Sequence, residues 1–273
     1  MYENYKGLGI ERRGKVLVVT INNPPMNSMT RLMHDELARI FFDINRDPDT
    51  AVVVLTGAGD RAFSAGGEGP VAGGDVKGMV ERIDNQDHAT WIKGNWEAKE
   101  IVSGLMRLER PLIARINGHA TGMGATLAVL SDFSYMVKGV KIADTHVKVG
   151  LTAGDGGALI WPLLVGFNRA KRYLLTGDSL DSTEAVDIGL ITAEAEDIAD
   201  LDRQVYEMAD RLAAGATYAI NGTKMSINMV MRKMVEGLME AHLGWETYSY
   251  LTKDHREGAA SFLEKRDPDF TGS

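Results

Sequence analysis

Two short β-branched runs, Val16–Ile21 (VLVVTI) and 51–55 (AVVVL), are bounded by Gly, Asn, Asp and Pro and read as strands buried on both faces. Between them Leu32, Leu37, Ile40, Phe41 and Ile44 recur at near-helical spacing, which predicts an amphipathic helix over Arg31–Asn45. Strand, helix, strand is the opening of an α/β layered fold. Further strands are predicted at 111–116, at Phe133–Val137 and near 141–148. A helix should begin around Met123, where the small residues of GMGATLAVLSDF give way to an apolar run. From Ala170 the pattern turns almost wholly helical, ending in a long stretch over 219–251. Gly177 and Gly215 stand where helices should stop. No Pro/Ser-rich linker and no repeat interrupts the chain. Residues 68–75 (EGPVAGGD) read as a Gly-rich surface insertion and 82–97 as a polar, Trp-containing segment. Both fit mobile walls of a substrate entrance, and equally two solvated loops.

A chain of 273 residues buries a substantial core and needs no more than one domain. Its formal net charge of -8 argues against nucleic acid as a partner, since such binding leans on clustered Lys and Arg. The absence of cysteine excludes disulfides, thiolate catalysis and Cys-based metal sites. No apolar run approaches the roughly 18–20 residues of a membrane span. The N-terminal MYENYKGLGIERRGK lacks the apolar segment of a secretory signal, so a cytoplasmic protein is expected. The six histidines show neither HxxxH nor HxH spacing, and no metal site is expected. Without a P-loop or a GxGxxG opening a βαβ unit, nucleoside triphosphates and NAD are not expected either.

Candidate chemistry begins with the glycines. Gly66 and Gly67 follow the apolar AFSA, and Gly122 and Gly124 flank Met123 at a predicted helix start. Two backbone N–H groups from such loops can converge on one carbonyl oxygen and stabilise the negative charge that develops there. From the glycines alone, ordinary turns are the stronger reading. His146 and Asp155 are nine residues apart across a loop. Histidine exchanges a proton near neutrality, and an aspartate facing it fixes its tautomer or acts as base. The alternatives are a polar residue at a strand end for His146 and a helix N-cap for Asp155.

The segments AFSAGG, INGHATGMGATLA and GLTAGDGGALIWPLLVGFNRAKRYLLTG run in an order and spacing that resemble the crotonase (enoyl-CoA hydratase/isomerase) superfamily. The resemblance covers nearly the whole chain, from VLVVTINNPPMNSM to FLEKRDPDF. It implies an α/β fold, the crotonase β-β-α spiral core over 1–200, with a C-terminal helical trimerisation region over 201–273. It further implies a homotrimer or dimer of trimers, and an oxyanion hole made by the N–H groups of Gly67 and Met123. Because AGG occurs twice, Gly74 is the alternative to Gly67. Ala65, Lys77 in DVKGM, and Phe262 and Lys265 in the tail fall where relatives contact substrate or CoA.

Hydratases of the superfamily carry glutamates where Thr126 and His146 stand here. Threonine is no general base at neutral pH, so two-carboxylate water addition is in doubt. The expectation is an enoyl-CoA hydratase/isomerase-type enzyme that works through an enolate, with Asp155 and His146 handling the proton. Its only cofactor would be the CoA of the substrate. A second expectation comes from His146, Asp155 and the GDG before a Trp-Pro segment, which resemble the β-diketone hydrolase branch that includes 6-oxocamphor hydrolase. That branch cleaves a carbon–carbon bond between two ketones without CoA. Glu246 would correspond to a further carboxylate there, or be a solvated helix charge. A third is a catalytically silent acyl-CoA-binding protein on the same scaffold. His119, in NGHA, reads as structural.

Overall fold

Residues 8–21 form a hairpin of β1 (Leu8–Arg13) and β2 (Val16–Ile21), paired antiparallel. Helix α1 (Arg31–Asn45) then carries the chain to β3 (Val52–Gly57), parallel to β2. The helix occupies the span its periodicity predicts, and Thr30 starts it by accepting the Met33 N–H on its hydroxyl. There follow β4 (Ala62–Ser64), α2 (Val76–Asp84), α3 (His88–Arg107), β5 (Leu112–Ile116), β6 (His119–Thr121), α4 (Met123–Val129), β7 (Phe133–Val137) and β8 (Lys141–Ala143). A 3-10 turn, His146–Val149, leads to α5 (Gly157–Val165), α6 (Phe167–Thr176), β9 (Leu180–Asp181), α7 (Ser182–Asp187) and β10 (Ala193–Ala195). The chain ends in α8 (Ile198–Ala213), the 34-residue α9 (Thr217–Tyr250) and α10 (Lys253–Glu264). The computed structural model describes residues 1–65 and 76–273, without the side chains of 76–79.

The strands form two sheets, one ordered β1-β2-β3-β5-β7-β10 and one ordered β4-β6-β8-β9. Among the described residues, only the β1–β2 and β8–β9 pairs are antiparallel. The β-branched runs are continuous because both faces of the larger sheet are covered. Leu17, Val19, Val53 and Leu55 face Leu37, Ile40 and Phe41 of α1 and Ile101 and Leu105 of α3. The alternate residues Val16, Val18, Val52 and Val54 join Leu201, Val205 and Ala209 of α8 on the opposite face. The smaller sheet and the helices from α4 to α5 enclose the first of these cores, and the candidate site sits at that junction.

Several expectations are corrected. The polar segment 82–97, expected as a mobile wall or a solvated loop, instead ends α2 and opens α3 (His88–Arg107), a helix with Glu97, Ala98, Ile101 and Val102 buried. The strand expected near 141–148 stops at Ala143, and His146 opens a 3-10 turn instead of ending a strand. The strands β4, β6, β9 and β10, of two or three residues, lie below the length at which alternation can be read from sequence, and β1 (LGIERR) buries only Leu8, so no apolar pattern marks it. The helix stops hold: Gly177 caps α6 in the left-handed conformation (φ 68°), and Gly215 follows the α8 cap at Ala214. Among the described residues no helix is long and apolar enough to cross a membrane. The insertion at 68–75 lies outside the described residues.

Candidate active site

Four chain segments converge on one imidazole. Asp144 follows β8 directly, His146 begins the 3-10 turn, and Asp155 lies in the loop before α5. Thr126 comes from α4 and Glu246 from α9. His146 Nδ1 is 2.7 Å from Asp144 Oδ1, and the same oxygen accepts the His146 backbone N–H at 3.3 Å. On the other side of the ring, Nε2 lies 3.6 Å from Asp155 Oδ2, an ion-pair contact slightly longer than a hydrogen bond. The Thr126 hydroxyl donates to the second oxygen of Asp155 at 3.1 Å and so turns Oδ2 toward the ring. The helix that Asp155 precedes is capped by Gly156, with no side-chain cap, so the N-cap reading of Asp155 is corrected.

Two glycines of the TAGDGG run make this packing possible. A Cβ on Gly154 would overlap the Glu246 carboxylate, and one on Gly157 would overlap Asp144 Oδ2. The backbone on either side of Asp155 is thus where two acidic side chains come to rest, and only glycine leaves them room. Glu246 is 6% exposed, which corrects its reading as a solvated helix charge. Asp144 is 2% exposed, and its Oδ2 has no hydrogen-bond partner among the described residues.

Burial alone would lower the His146 pKa, but the flanking charges of Asp155 and Asp144 outweigh it and raise the value to about 10. Asp155 is pushed up to about 6, chiefly by burial and against the attraction of His146. Glu246 is pushed up to about 8, again chiefly by burial, with Asp155 and Asp144 adding to the rise. At neutral pH the site therefore holds a protonated His146 between two carboxylates, with a neutral Glu246 beside them. Asp155 is poised to gain or lose a proton near neutrality. His242, one turn before Glu246 on α9, is kept neutral by burial, and its Nε2 has no partner among the described residues.

Asp144, His146 and Asp155 each bring a donor atom within 4.8 Å of one another. This is a donor set of the kind that can hold a metal ion, and with each ring nitrogen turned to a carboxylate a proton on the imidazole also balances it. Met123 is buried at the first position of α4, where an N–H has no intrahelical acceptor. Ala65 is buried and donates its N–H to Met26 O at 2.9 Å. Gly67 and Gly74 lie outside the described residues, as does the Lys77 side chain. Phe262 packs on Val80 and Ala259, while Lys265 is exposed at the end of α10. That helix lies against the turn carrying His146: His255 Nδ1 is 2.7 Å from Val149 O. His119 is structural as expected, its Nδ1 accepting the Lys141 N–H at 3.1 Å.

Sequence reasoning found His146, Asp155 and, as an alternative, Glu246, but missed Asp144. The available signal was its place two residues before His146 in DTH, from which an Asp side chain can reach back to the ring.

Residues 11–273 match the profile of the family described as Enoyl-CoA hydratase/isomerase. The short-chain-enoyl-CoA hydratase of Clostridium acetobutylicum is 30% identical over 260 residues, covering 94% of each chain. The 1,2-epoxyphenylacetyl-CoA isomerase of Escherichia coli is 31% identical over 269 residues, covering 94% of this chain and 95% of its own. A crystal structure of an enoyl-CoA hydratase/isomerase from Mycobacterium paratuberculosis superposes with a TM-score of 0.85 at 33% identity, covering 93% of this chain and 98% of that one. The α/β core with two mixed sheets and a helical C-terminal region is the crotonase fold.

Proposed function

The chain belongs to the enoyl-CoA hydratase/isomerase family, and from that premise we propose that it acts on an acyl-CoA thioester through an enolate, with Asp155 as the base. Asp155 takes the α-proton, and the electron pair moves onto the thioester oxygen. Backbone N–H groups at Met123 and Gly67 would hold that oxyanion. The proton then returns to carbon, at the same position or further along the chain. The observation that carries this reading is the His146–Asp155 contact of 3.6 Å, in a buried site that lifts the Asp155 pKa to about 6. A base matched to neutral pH serves an α-proton better than an ordinary carboxylate does. Gathering three acidic side chains and an imidazole away from water costs solvation energy that a catalytically silent scaffold has no reason to bear. Substrate and CoA contacts are assigned to Ala65, Lys77, Phe262 and Lys265, and a homotrimeric assembly or dimer of trimers goes with the same reading.

Relatives include both a hydratase and an isomerase, so the enolate step is the common element and is the one to test. In D2O, wild-type protein should replace the α-protons of a short saturated acyl-CoA with deuterium, followed by proton NMR. Calorimetry with CoA and the same thioester should show micromolar binding. Absence of both would remove the proposal.

A second reading is favoured by the seat of Glu246 against Gly154, which adds a third acidic side chain next to Asp155. In it, the site activates water to attack one ketone of a β-diketone. The water oxygen bonds to that carbonyl carbon, the carbon–carbon bond breaks, and its electron pair forms the enolate of the second ketone, which is then protonated. Turnover of a cyclic 1,3-diketone without CoA binding would select this reading over the first.

A further inference from the structure

The two carboxylates flanking His146 are not equivalent. Asp144 lies 2.7 Å from Nδ1 and is 2% exposed, whereas Asp155 lies 3.6 Å from Nε2. Asp144 also grips the His146 backbone N–H with the same oxygen, so ring and backbone are fixed by one acceptor. Its other oxygen is sealed against Gly157 at the start of α5, in a space no larger side chain at that position would leave. A carboxylate buried this deeply, with one oxygen lacking a hydrogen-bond partner among the described residues, is costly unless a cation compensates it. The imidazolium of His146 is that cation.

We infer that Asp144 is a positioning residue: it keeps a proton on Nδ1 of His146 and locks the ring so that Nε2 faces Asp155. This rests on the proposed role of Asp155 and His146 in proton transfer, and adds a residue that acts through the imidazole without touching substrate. With Nδ1 committed, the ring can present only Nε2 to the reacting side, and any proton lost or gained there passes between the ring and Asp155. The other titratable groups packed around the ring are Glu246 and His242 from α9 and His255 from α10. Glu246 adds its charge to the ring's support only above its own pKa of about 8, while His242 and His255 are held neutral by their own burial.

The competing structural role is that of a cap for the 3-10 turn, and Asp144→Asn separates the two. The amide keeps an oxygen for the His146 N–H but loses the charge. The readout is the ring nitrogen spectrum of 15N-labelled protein, in which six histidines are few enough to resolve and His146→Asn assigns the signal. In the wild type we expect both ring nitrogens of His146 protonated at pH 7, with the Nδ1 proton shifted strongly downfield. In Asp144→Asn the His146 pKa should fall by at least about one unit, a tenfold change in proton affinity. Deuterium exchange into acyl-CoA should fall by about 10²- to 10⁴-fold in kcat, with KM little changed. A bare Nδ1 in the wild type overturns the inference, as does an unchanged His146 pKa in a folded Asp144→Asn. Should the variant fail to fold, the wild-type spectrum decides alone. If the nitrogen spectra behave as expected but the wild type exchanges no acyl-CoA proton, the ring-holding role stands and the proposed reaction falls.

Discussion

Replacing Asp155 by Asn tests the centre of the proposed chemistry with little change of shape. The amide oxygen can still accept the Thr126 hydroxyl, now 3.1 Å from Oδ1, so the side chain keeps its anchor. What disappears is the negative charge 3.6 Å from His146 Nε2. Two unit charges near 4 Å attract by about 4 kcal/mol at the effective dielectric of about 20 suited to proteins. At 1.36 kcal/mol per unit that is an upper bound of roughly 3 pKa units. The His146 pKa, held at about 10 in the wild type, should therefore fall toward neutrality, sustained by Asp144 alone. Loss of the base should slow α-proton exchange by about 10²- to 10⁴-fold, or roughly 3–5 kcal/mol of barrier. The assay is deuterium incorporation into a short acyl-CoA under saturating substrate, beside a thermal melt to show that the fold is intact. An Asp155→Asn protein that exchanges at the wild-type rate would refute the assignment of the base, however the ring titrates.

Exchange in the wild type should rise as pH increases through about 6, because only the ionised form of Asp155 accepts a proton; a rate flat from pH 5 to 8 would contradict this. Glu246 bears on stability with the opposite sign. Its folded pKa of about 8 lies above its ordinary 4.5, so the native state retains the proton and loses stability relative to the unfolded chain as pH rises between those values. Glu246→Gln should flatten that decline, seen as a smaller difference between melting temperatures at pH 6 and pH 9. Gly154→Ala should displace the Glu246 carboxylate and destabilise by roughly 1–3 kcal/mol, as overpacking does, measured by denaturant unfolding; an unchanged midpoint would mean that Glu246 simply swings aside. Phe41→Ala, which empties a fully buried position between α1 and the larger sheet, should cost about 3–5 kcal/mol in the same measurement.

The core of the fold was readable because burial on two faces writes itself into composition. A strand such as Val52–Gly57, all six residues buried, can be built only from a continuous apolar run. The α1 helix was equally legible, since it buries one stripe and its apolar spacing says so. Strands of two or three residues, as in β4, β6, β8 and β9, carry too few positions for a period to show. Their pairing is decided by distant partners, as when Ala62 meets His119 and Ile142 meets Leu180. Helix α3 was misread for a related reason: its solvent face carries Ile92 and Trp96, so the stripe that marks the buried side was blurred.

The site divides along the same line. His146 and Asp155 stand close in sequence inside a segment of distinctive glycine spacing, and both were visible there. Asp144 and Glu246 act by burial, which sequence does not record. The glycines do record it, indirectly. Gly154 and Gly157 are required because the carboxyl groups of Asp144, just after β8, and Glu246, on α9, rest against them. At the positions where the resemblance leads one to expect glutamates, the chain has Thr126 and His146, one neutral and one able to carry positive charge. A cation in place of a carboxylate changes what its surroundings must supply. The imidazolium needs compensation on both ring nitrogens, and Asp144 and Asp155 provide it at 2.7 and 3.6 Å. Burial raises the Asp155 pKa while the facing imidazolium lowers it; with His146 holding its own proton, Asp155 rather than the residue it faces is the proton acceptor in the proposed reaction.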